Sequence, residues 1–472
     1  MATSMTVEKI LADYIANALP AQLNQGVLVR ARCHLLDTMA AILSGRFLPA
    51  GKFGYDFAQA QEQAGCSTLL GSKIRVSAEY AAFANAMAAH ADETDDSHIL
   101  GRFHPGCAVI PVAISVAEEC DVSAEAMLKA IVLGYDIGAR STKALGFSSP
   151  KTTVFSTHSF GALFGAAATA GALYGLNPTQ VEFLMSFSVQ QASGLSYWNR
   201  DPDHIEKSFD FGAKAARNGI FAARLAKAGM TGPSRPITGP KGYLEAFAES
   251  PSPEAFVERL GTHFEIEHST IKKWPVGSPI QSVLDAVEVL FGCRPVHLDE
   301  VKSITIKVPS NRFHVINDRK MPAVCCQHLV ALALTDGKVG FENSHSLDRM
   351  TDHMVHAWRK KINLIPDEAL TLSYPERQAI VTVEMINGNQ LRHHAKVVRG
   401  TPDSPMNPDE IQVKVGDILA GCLPDGGKKL MGMCFQDTFE ISDLISACLC
   451  SEAIIDKKVI LGKPDYSSTI LN

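Results

Sequence analysis

The 472-residue sequence has no long run of one charge sign, and none of its eleven cysteines form a C-x-x-C pair. Its net charge is −6, so no basic surface for nucleic acid or for an anionic membrane is expected. A local basic pocket for a small anionic substrate is compatible with this mild acidity. The scattered cysteines indicate neither a zinc site nor an iron–sulfur cluster. They favour reduced thiols in a cytoplasmic protein, and we expect no metal or other cofactor.

Two further absences concern membranes. The first residues lack an apolar segment followed by a cleavage site, so we expect no signal peptide. Residues 152–180 contain no Asp, Glu, Lys or Arg and are numerous enough to span a bilayer. Polar residues interrupt this stretch, however, and residues 161–175 are dominated by Ala and Gly, which let helices pack closely. A buried central helix is therefore the favoured interpretation.

Most of the chain before residue 265 has helical periodicity. Apolar residues recur at three- and four-residue spacing in residues 7–18 and 27–43. Other segments are rich in alanine and nearly apolar all round, which is typical of helices inside a large bundle. These segments are residues 81–90, 108–117, 124–134 and 161–174.

The pattern changes near Glu265. Residues 301–308 alternate and are rich in β-branched side chains, and Asn387-Gly388 is a strong hairpin turn between two strand-like segments. Helical patterns return after Pro408. We therefore predict a mainly α protein with an α+β second domain. The predicted domains are a helical domain of residues 1–267 and 404–472 and a smaller α+β lid of residues 268–403.

The densest polar cluster, His90-Ala-Asp-Glu-Thr-Asp-Asp-Ser-His98, lies between two apolar helical segments, and His104-Pro105 follows it. Its carboxylates and imidazoles supply acids and bases of differing pKa. Three interpretations are open: acids that cap helices beside structural histidines, a metal site, and a metal-free acid–base site. The proline after His104 biases that residue to an extended backbone, which holds its imidazole out of helix register.

Two later segments supply positive charge. Lys207 and Lys214 are seven residues apart and could share a helix face, with Arg217 one turn beyond Lys214. Such a group can bind substrate carboxylates, although a solvated basic helix face gives the same pattern. Lys272-Lys273-Trp-Pro opens the α+β region, and its two lysines are equally compatible with surface charge.

These segments occur in an order that resembles the MmgE/PrpD family nearly from end to end. The pieces that carry the resemblance are Leu36-Asp-Thr38, Ala81-Ala-Phe-Ala-Asn85, His90-Ala91, Asp95-Asp96, His104-Pro105, Phe164-Gly-Ala-Ala167, Lys207, Ala216-Arg-Asn-Gly219, Gly239-Pro-Lys-Gly-Tyr-Leu-Glu-Ala-Phe247 and Phe341-Glu-Asn-Ser-His345. Any one piece is weak, but the ordered series is specific. The resemblance implies a helical domain built from both chain ends, an α+β lid, an active site in the cleft between them, and a homodimer.

The resemblance also implies which residues act. His104 is the candidate proton-transfer residue, and Lys207 is the candidate carboxylate clamp or second acid. Further candidates are Asp96 and His158 for catalysis, and Glu93, Asp95, Ser97, His98, Lys273, Gln281 and His328 for substrate binding. The family pattern places histidines at the positions of Phe155 and Gln281 and often a tyrosine at that of His328. His158 and His328 are therefore the candidate replacements.

Known activities in such proteins are 2-methylcitrate dehydratase, cis-aconitate decarboxylase and iminodisuccinate epimerase. Each activity makes a carbanion next to a carboxylate, which requires an acid or base near neutrality and cations over the developing charge. We expect a cofactor-independent lyase on a small di- or tricarboxylic acid, most simply a 2-methylcitrate dehydratase-like hydro-lyase. The alternatives are a carboxy-lyase or an epimerase on the same scaffold, a non-catalytic helical protein that binds an anionic metabolite, and a metal-dependent hydrolase.

Overall fold

The computed structural model describes residues 5–61, 65–147 and 154–451. In this part of the chain, helices predominate at both ends of the sequence, and a four-stranded sheet is formed by the segment between them. The predicted fold class, mainly α with a smaller α+β part, is confirmed.

The first part of the chain is helical, apart from two short paired strands. Its elements are α1 (Val7–Ala16), α2 (Gln25–Gly45), α3 (Pro49–Gln61), β1 (Ser67–Thr68), β2 (Arg75–Val76), α4 (Ala78–Ala89), α5 (Gly106–Cys120), α6 (Ala124–Lys143), α7 (Thr157–Leu173), α8 (Pro178–Gln191), α9 (Ile205–Ser208), α10 (Lys214–Lys227) and α11 (Tyr243–Phe247). The side chains of Asn24, Ser123 and Asn177 accept hydrogen bonds from first-turn amides of α2, α6 and α8. Such caps fix helix starts that apolar periodicity alone does not show.

Helix α7 is the buried centre of the helical part, where it packs against α5, α6 and α10. Glycines permit the contact with α6: a Cβ on Gly138 would stand 2.7 Å from the carbonyl oxygen of Gly161. All residues of α7 except His158 are buried, so residues 157–173 of the uncharged stretch form a core helix. Within the described ranges, we find no helix with the length and apolarity needed to cross a membrane.

The α+β part surrounds a mixed sheet. Its elements are α12 (Gln281–Phe291), β3 (Val301–Pro309), α13 (Ser310–Ile316), α14 (Cys326–Asp336), α15 (Phe341–His345), α16 (Leu347–Thr351), α17 (His353–Arg359), β4 (Ile362–Asp367), α18 (Glu368–Thr371), β5 (Ala379–Met385) and β6 (Gln390–Ala395). The strand order is β4-β3-β5-β6, with β4 parallel to β3 and the other pairs antiparallel. The predicted hairpin at Asn387-Gly388 is confirmed, and Gly388 has the left-handed φ of 87° that this turn favours.

The last helices are α19 (Pro408–Leu419), α20 (Lys428–Cys434) and α21 (Ile441–Ser446). Their apolar residues, including Ile411 and Leu444, share one core with Leu35 of α2. The α+β part has a core of its own, which includes Val283 and Val381. The two ends of the chain therefore meet in one helical body, and loops from both bodies are available to form a site at their junction. The exact domain boundaries at 267/268 and 403/404 stay a prediction.

Candidate active site

The acidic loop connects the end of α4 to the start of α5, and its carboxylates are buried. Asp92, Asp95 and Asp96 are 0% exposed. A buried carboxylate is stable only when it is paired or hydrogen-bonded, because removal of a charge from water is costly. The partners of each acid therefore reveal how the loop is built.

Asp96 anchors the loop to the helices behind it. Its Oδ1 accepts a hydrogen bond from the backbone N–H of Gly106 at 2.8 Å. Its Oδ2 accepts one from the Tyr135 hydroxyl at 2.5 Å and lies 2.6 Å from Nδ1 of His34. A Cβ on Gly106 would stand 2.8 Å from Oδ1 of Asp96, so glycine lets the acid reach the first turn of α5. In the described residues, Asp96 thus makes its hydrogen bonds to groups of the helical part: Gly106, Tyr135 and His34.

Asp95 organises two histidines. Its Oδ2 lies 2.9 Å from Nδ1 of His90 and 3.1 Å from Nδ1 of His104. Burial by itself would raise the pKa of Asp95, but His90, His104 and Lys272 outweigh burial and hold the pKa well below its ordinary value. A permanently ionised Asp95 therefore orients both imidazoles through their Nδ1 atoms.

His104 keeps its second ring nitrogen available. Its side chain is 10% exposed, and Nε2 makes no hydrogen bond with the described residues. Burial lowers the pKa of His104 to about 4, against the opposing effect of Asp95. The imidazole is therefore neutral at neutral pH. With Asp95 accepting the Nδ1 proton, the lone pair of Nε2 is free to take a proton.

The lowered pKa of His104 predicts that acid destabilises the fold. The unfolded chain protonates this residue near pH 6.5 and the folded chain only near pH 4, so its contribution is complete above pH 6.5 and is lost as pH falls toward 4. At pH ~4.5 one such histidine lowers the free energy of unfolding by about 2 kcal/mol relative to its value at neutral pH. Urea unfolding at pH ~7 and ~4.5 measures the loss, which should be smaller in His104→Asn than in the wild type. Equal losses in both proteins would contradict the assigned protonation state.

Glu93 joins the acidic loop to the segment that contains Lys207. Its carboxylate accepts a hydrogen bond from Nζ of Lys207, and Nδ1 of His204 lies 2.9 Å from the same oxygen. Burial would raise the pKa of Glu93, but Lys207 and then His204 hold it well below its ordinary value. Both Glu93 and His204 have left-handed backbones, with φ of 64° and 55°. Strained backbone at a buried ion pair is typical of functional sites.

The aromatic ring of Phe211 is the surface on which these groups meet. The ring of His158 stacks on it with 3.8 Å between centroids, and those of His90 and His104 lie 4.5 and 5.4 Å away. Nζ of Lys207 is 5.1 Å from the same centroid. The structure thus brings His104, His158 and Lys207 together, and we call these side chains with His90 and Phe211 the imidazole cluster.

A π-helical turn at Phe209–Ala213 separates α9 from α10 and presents the ring of Phe211. Such turns insert an extra residue into a helix and are frequent at functional sites. Lys207, before the turn, contacts Glu93 and is 12% exposed, whereas Nζ of Lys214, after it, lies 3.4 Å from Asp210. The two lysines therefore do not act as one basic face.

The family pattern places a histidine at the position of Phe155, and His158 is its candidate replacement. Phe155 packs on the rings of Phe160 and Phe247, so it belongs to an apolar contact. His158 instead lies with its ring centroid 5.5 Å from that of His104. Nδ1 of His158 has no hydrogen-bond partner among the described residues, and burial, followed by His104, lowers its pKa well below the ordinary value. His158 is thus a second neutral imidazole at the cluster.

The adjacent lysines of the α+β region have different environments. Lys272 is 0% exposed, and its Nζ donates to the carbonyl oxygen of Glu93 at 2.5 Å and lies 3.5 Å from Oδ1 of Asp95. Lys273, the lysine chosen from the sequence for substrate binding, pairs with Glu288 at the surface. Since successive side chains of an extended segment point to opposite sides, the structure brings Lys272 to the cluster and not Lys273.

A cleft of about 200 Å³ opens beside Lys272, where the helical part meets the α+β part. Its lining includes Ser97, Leu100, Thr270, Lys272, Gln281, Arg377 and Lys396. Two carboxylates, Glu376 and Asp403, also line it, but both residues are exposed. Lys272 lines this cleft and also contacts Asp95, the carboxylate that orients the imidazoles of His90 and His104. Lys272 is buried, Arg377 is half-buried and Lys396 is exposed, and three cations in one cleft suit a small polyanion.

Two predicted binding residues, Ser97 and Gln281, line the cleft, and some of their polar groups already make hydrogen bonds within the protein. The backbone of Ser97 exchanges hydrogen bonds with that of Thr270. The side-chain amide of Gln281 accepts from the N–H of Trp274 at 3.0 Å and donates to the carbonyl oxygen of Val276 at 3.0 Å. Gln281 therefore shapes the loop that forms one wall of the cleft.

The structure does not bring two other predicted residues, His98 and His328, to the cluster. His98 accepts a hydrogen bond from the N–H of Gly101 and lies 2.9 Å from Glu265, so it fastens two loops of the helical part. His328 is buried in α14, and burial lowers its pKa to about 4. Neither imidazole contacts His104 or Lys207 in the described residues.

One group within the described ranges has the spacing of metal ligands: His90, Asp95 and Cys107 offer atoms within 4.8 Å of one another. The donor set fits a metal poorly. Burial, followed by Asp95, raises the pKa of Cys107 well above its ordinary value, so the thiol keeps the proton that a metal would have to displace. Oδ2 of Asp95 is already engaged by two imidazoles. We therefore derive no step through a metal.

Sequence reasoning missed several members of the site. His90 and His204 stood in polar segments that had been singled out, and Lys272 stood beside the lysine that was chosen. In these cases composition identified the segment and only geometry selected the residue. Phe211 could not be recognised, because its role comes from the π-helical turn that presents its ring.

Comparison with known protein families settles the relationship of the chain. The MmgE/PrpD N-terminal domain matches residues 9–255, and the MmgE/PrpD C-terminal domain matches residues 274–433. The chain belongs to the MmgE/PrpD family. The resemblance inferred from the ordered series of motifs is thereby confirmed.

Curated relatives of this MmgE/PrpD chain are named as cis-aconitate decarboxylases. It is 26% identical over 299 residues to the cis-aconitate decarboxylase-like protein oryM of Aspergillus oryzae, covering 59% of this chain and 60% of that protein. It is 24% identical over 306 residues to cis-aconitate decarboxylase of Homo sapiens, covering 62% of each. Identity to cis-aconitate decarboxylase of Mus musculus is 21% over 416 residues, covering 83% of this chain and 82% of the relative. The chain thus spans about three fifths of the first two relatives. These names support a lyase-type family at a coarse level.

Proposed function

We propose that this protein is a lyase that decarboxylates a small unsaturated tricarboxylic acid through a carbanion, without a cofactor. The observation that carries the proposal is the meeting of His104, His158 and Lys207 around the ring of Phe211. The buried Lys272, which contacts Asp95 of the acidic loop, also lines the neighbouring cleft. The names of the relatives favour loss of carbon dioxide over the loss of water that the sequence analysis places first.

The groups of the cluster supply what such a reaction needs. When the bond to the departing carboxylate breaks, its electron pair stays on the substrate carbon and carbon dioxide leaves. The ammonium group of Lys207 offsets this developing negative charge in a water-poor site. His104 then delivers a proton to the carbon from Nε2. A bound polyanion raises the pKa of His104, so the imidazole takes that proton from water on binding and returns to neutral afterwards.

Dehydration is the second candidate, because the free enzyme holds His104 as a neutral imidazole with a pKa of about 4. A neutral imidazole is ready to remove a proton beside a carboxylate, after which hydroxide leaves the neighbouring carbon. The same residues thus serve both reactions. Decarboxylation follows when the bond to the departing carboxylate breaks first, and dehydration follows when the C–H bond beside a carboxylate breaks first.

Incubation with cis-aconitate, citrate and 2-methylcitrate in deuterated water, followed by NMR, tests the proposal. We expect cis-aconitate to lose one carbon dioxide per product and to gain one carbon-bound deuterium. Loss or gain of water without carbon dioxide would assign the protein to the hydro-lyases. Deuterium exchange alone would indicate an epimerase. Binding without turnover or exchange would identify a non-catalytic protein, and stoichiometric zinc, iron or manganese in active protein would contradict the metal-free mechanism.

We propose that an exposed aromatic patch forms the interface of a homodimer. Phe53, Phe57 and Phe209 are 46%, 47% and 41% exposed. The ring of Phe83 lies 5.5 Å from that of Phe57 and 6.4 Å from that of Phe209, so these three residues form one surface across α3, α4 and the π-helical turn. Phe53 lies one turn before Phe57 on α3. Contiguous apolar surface of this kind marks interaction sites.

The dimer is tested by the mass of the protein in solution, measured by light scattering. The wild type should have twice the mass of one chain, and Phe57→Glu should shift the population to the monomer. Val289→Glu is the matched control, because Val289 is 62% exposed on α12 of the α+β part and should leave the mass unchanged. A monomeric wild type would contradict the dimer.

A further inference from the structure

Trp198 lies against the imidazole cluster, although no sequence motif pointed to it and the proposed reaction does not use it. It belongs to a 3-10 turn at Ser196–Arg200, in the connection between α8 and α9. Its ring is nearly perpendicular to that of Phe211, with 4.6 Å between centroids, and nearly perpendicular to that of His158 at 5.6 Å. Edge-to-face contacts at these distances are favourable and directional. Trp198 therefore reaches two members of the cluster from a segment whose other residues are mostly exposed.

The ring of Trp198 also contacts the ammonium group of Lys207. Nζ of Lys207 is 5.7 Å from the centroid of the Trp198 ring and 5.1 Å from that of the Phe211 ring. Both distances lie within the range of cation–π attraction, and tryptophan has the most favourable ring face for it. The carboxylate of Glu93 pairs with the same ammonium group. An aromatic ring attracts a cation without neutralising it, so Trp198 can hold Lys207 in place and leave its charge available to a substrate.

Hydrogen bonds fix the position of Trp198 itself. Its indole N–H donates to Oγ of Ser156 at 3.2 Å, and the Ser156 hydroxyl donates to the buried carboxylate of Asp210. The backbone N–H of Ser156 donates to the carbonyl oxygen of Gly194 at 3.1 Å, four residues before the tryptophan. The turn is thus fastened to the start of α7, where His158 lies, and the indole ring is held against the cluster in the protein without a ligand.

We propose that Trp198 is a positioning residue, whose ring face holds the ammonium group of Lys207 where negative charge develops on the substrate. This inference rests on the proposed function and adds a residue that acts through Lys207. A lysine side chain is long and flexible, so its charge is effective in a reaction only when other groups restrict where it can move. Glu93 supplies one restriction, and the rings of Trp198 and Phe211 supply the others.

A series of fluorinated tryptophans at position 198 of the full-length protein tests the role of the ring face. Fluorine atoms withdraw electron density from the ring, so fluoro-, difluoro- and tetrafluorotryptophan attract a cation progressively less while the shape of the side chain hardly changes. We expect kcat on the substrate that the NMR experiment identifies to fall with each step, by about tenfold with tetrafluorotryptophan, as for the loss of a desolvated cation–π contact. Trp198→Leu should have a similar effect, and Trp198→Phe, which keeps an aromatic face, a smaller one. A purely structural role of Trp198 predicts the same kcat throughout the fluorinated series, and that result would overturn the proposal.

Tyr197→Leu is the matched control for the turn. Tyr197 precedes Trp198, its ring is 48% exposed, and the guanidinium carbon of Arg200 lies 5.7 Å from its centroid, so it makes the same kind of contact at the surface. This substitution should leave kcat unchanged. A loss as large as that of Trp198→Leu would show that the turn supports the fold as a whole, and it would overturn the assignment to Trp198.

The fluorine resonance of fluorotryptophan at position 198 gives a second measurement that requires no turnover. Lys207→Met removes the ammonium group but keeps most of the side-chain volume, and it should shift this resonance. Lys227→Met is the control, because Lys227 is exposed on α10 and its Nζ lies 5.0 Å from the centroid of a different ring, that of Tyr174. A resonance that Lys207→Met does not shift would overturn the contact and the proposal with it. A shifted resonance in a protein that turns over none of the acids would retain the contact between Trp198 and Lys207 and reject the lyase.

Discussion

Replacement of His104 by alanine is expected to lower turnover by at least about 10²-fold, the low end of the contribution of a positioned acid or base. The reason is that Nε2 of His104 is the available imidazole nitrogen of the Asp95–His104 pair. The measurement is kcat on the substrate that the NMR experiment identifies. A rate near that of the wild type would remove His104 from the mechanism.

Two controls separate chemistry from folding in this experiment. His353→Ala removes an exposed histidine of α17 and should leave kcat unchanged. Added imidazole should restore part of the activity of His104→Ala, because a free base can enter the space that the side chain leaves. A merely structural role of His104 predicts no such rescue.

Replacement of Lys207 by alanine is expected to lower turnover by a similar factor, at least about 10²-fold, because it removes a cation placed over developing negative charge. The substitution has a second effect, since it leaves Glu93 buried beside His204 alone. Loss of one partner from a buried ion pair costs about 3–5 kcal/mol of stability. Activity and unfolding free energy must therefore be measured together.

The double variant Lys207→Ala with Glu93→Gln distinguishes the two effects of Lys207. Neutralising Glu93 should recover much of the lost stability without recovering turnover. Lys214→Ala is the matched control on the same helical segment, because Lys214 pairs with Asp210 beyond the π-helical turn and should retain activity. Recovery of both stability and turnover in the double variant would show that Lys207 only supports the fold.

The fold was largely predictable, because the side of each helix or strand that is buried sets the spacing of apolar residues in its sequence. Helix α7 and its neighbours are buried nearly all round, and their alanine-rich sequences reflect that directly. Strand β4 was not predicted: it is an edge strand, contains Pro366 and is mostly exposed, so it lacks the alternation of a half-buried strand. Residues 346–361 have a single helical pattern in the sequence, but the structure forms two helices there, α16 and α17. Asp352 begins the second helix by accepting hydrogen bonds from its first amides.

The candidate site was predictable by segment and less so by residue. The motifs around His104 and Lys207 were chosen independently, and the structure places both side chains against Phe211. The choice of Lys273 over Lys272 could not be made from composition, because the side of an extended segment that faces the cleft is set by distant packing.

A crystal structure with bound tricarballylate, an unreactive saturated tricarboxylate, tests the central claim most directly. The account predicts a carboxylate of the ligand within hydrogen-bonding distance of Nζ of Lys207. It also predicts a ligand carbon about 3.5 Å from Nε2 of His104, the separation from which proton transfer proceeds. A ligand seated elsewhere, with the space around Phe211 filled by protein or too narrow to admit it, would contradict the claim that these two side chains serve one reaction.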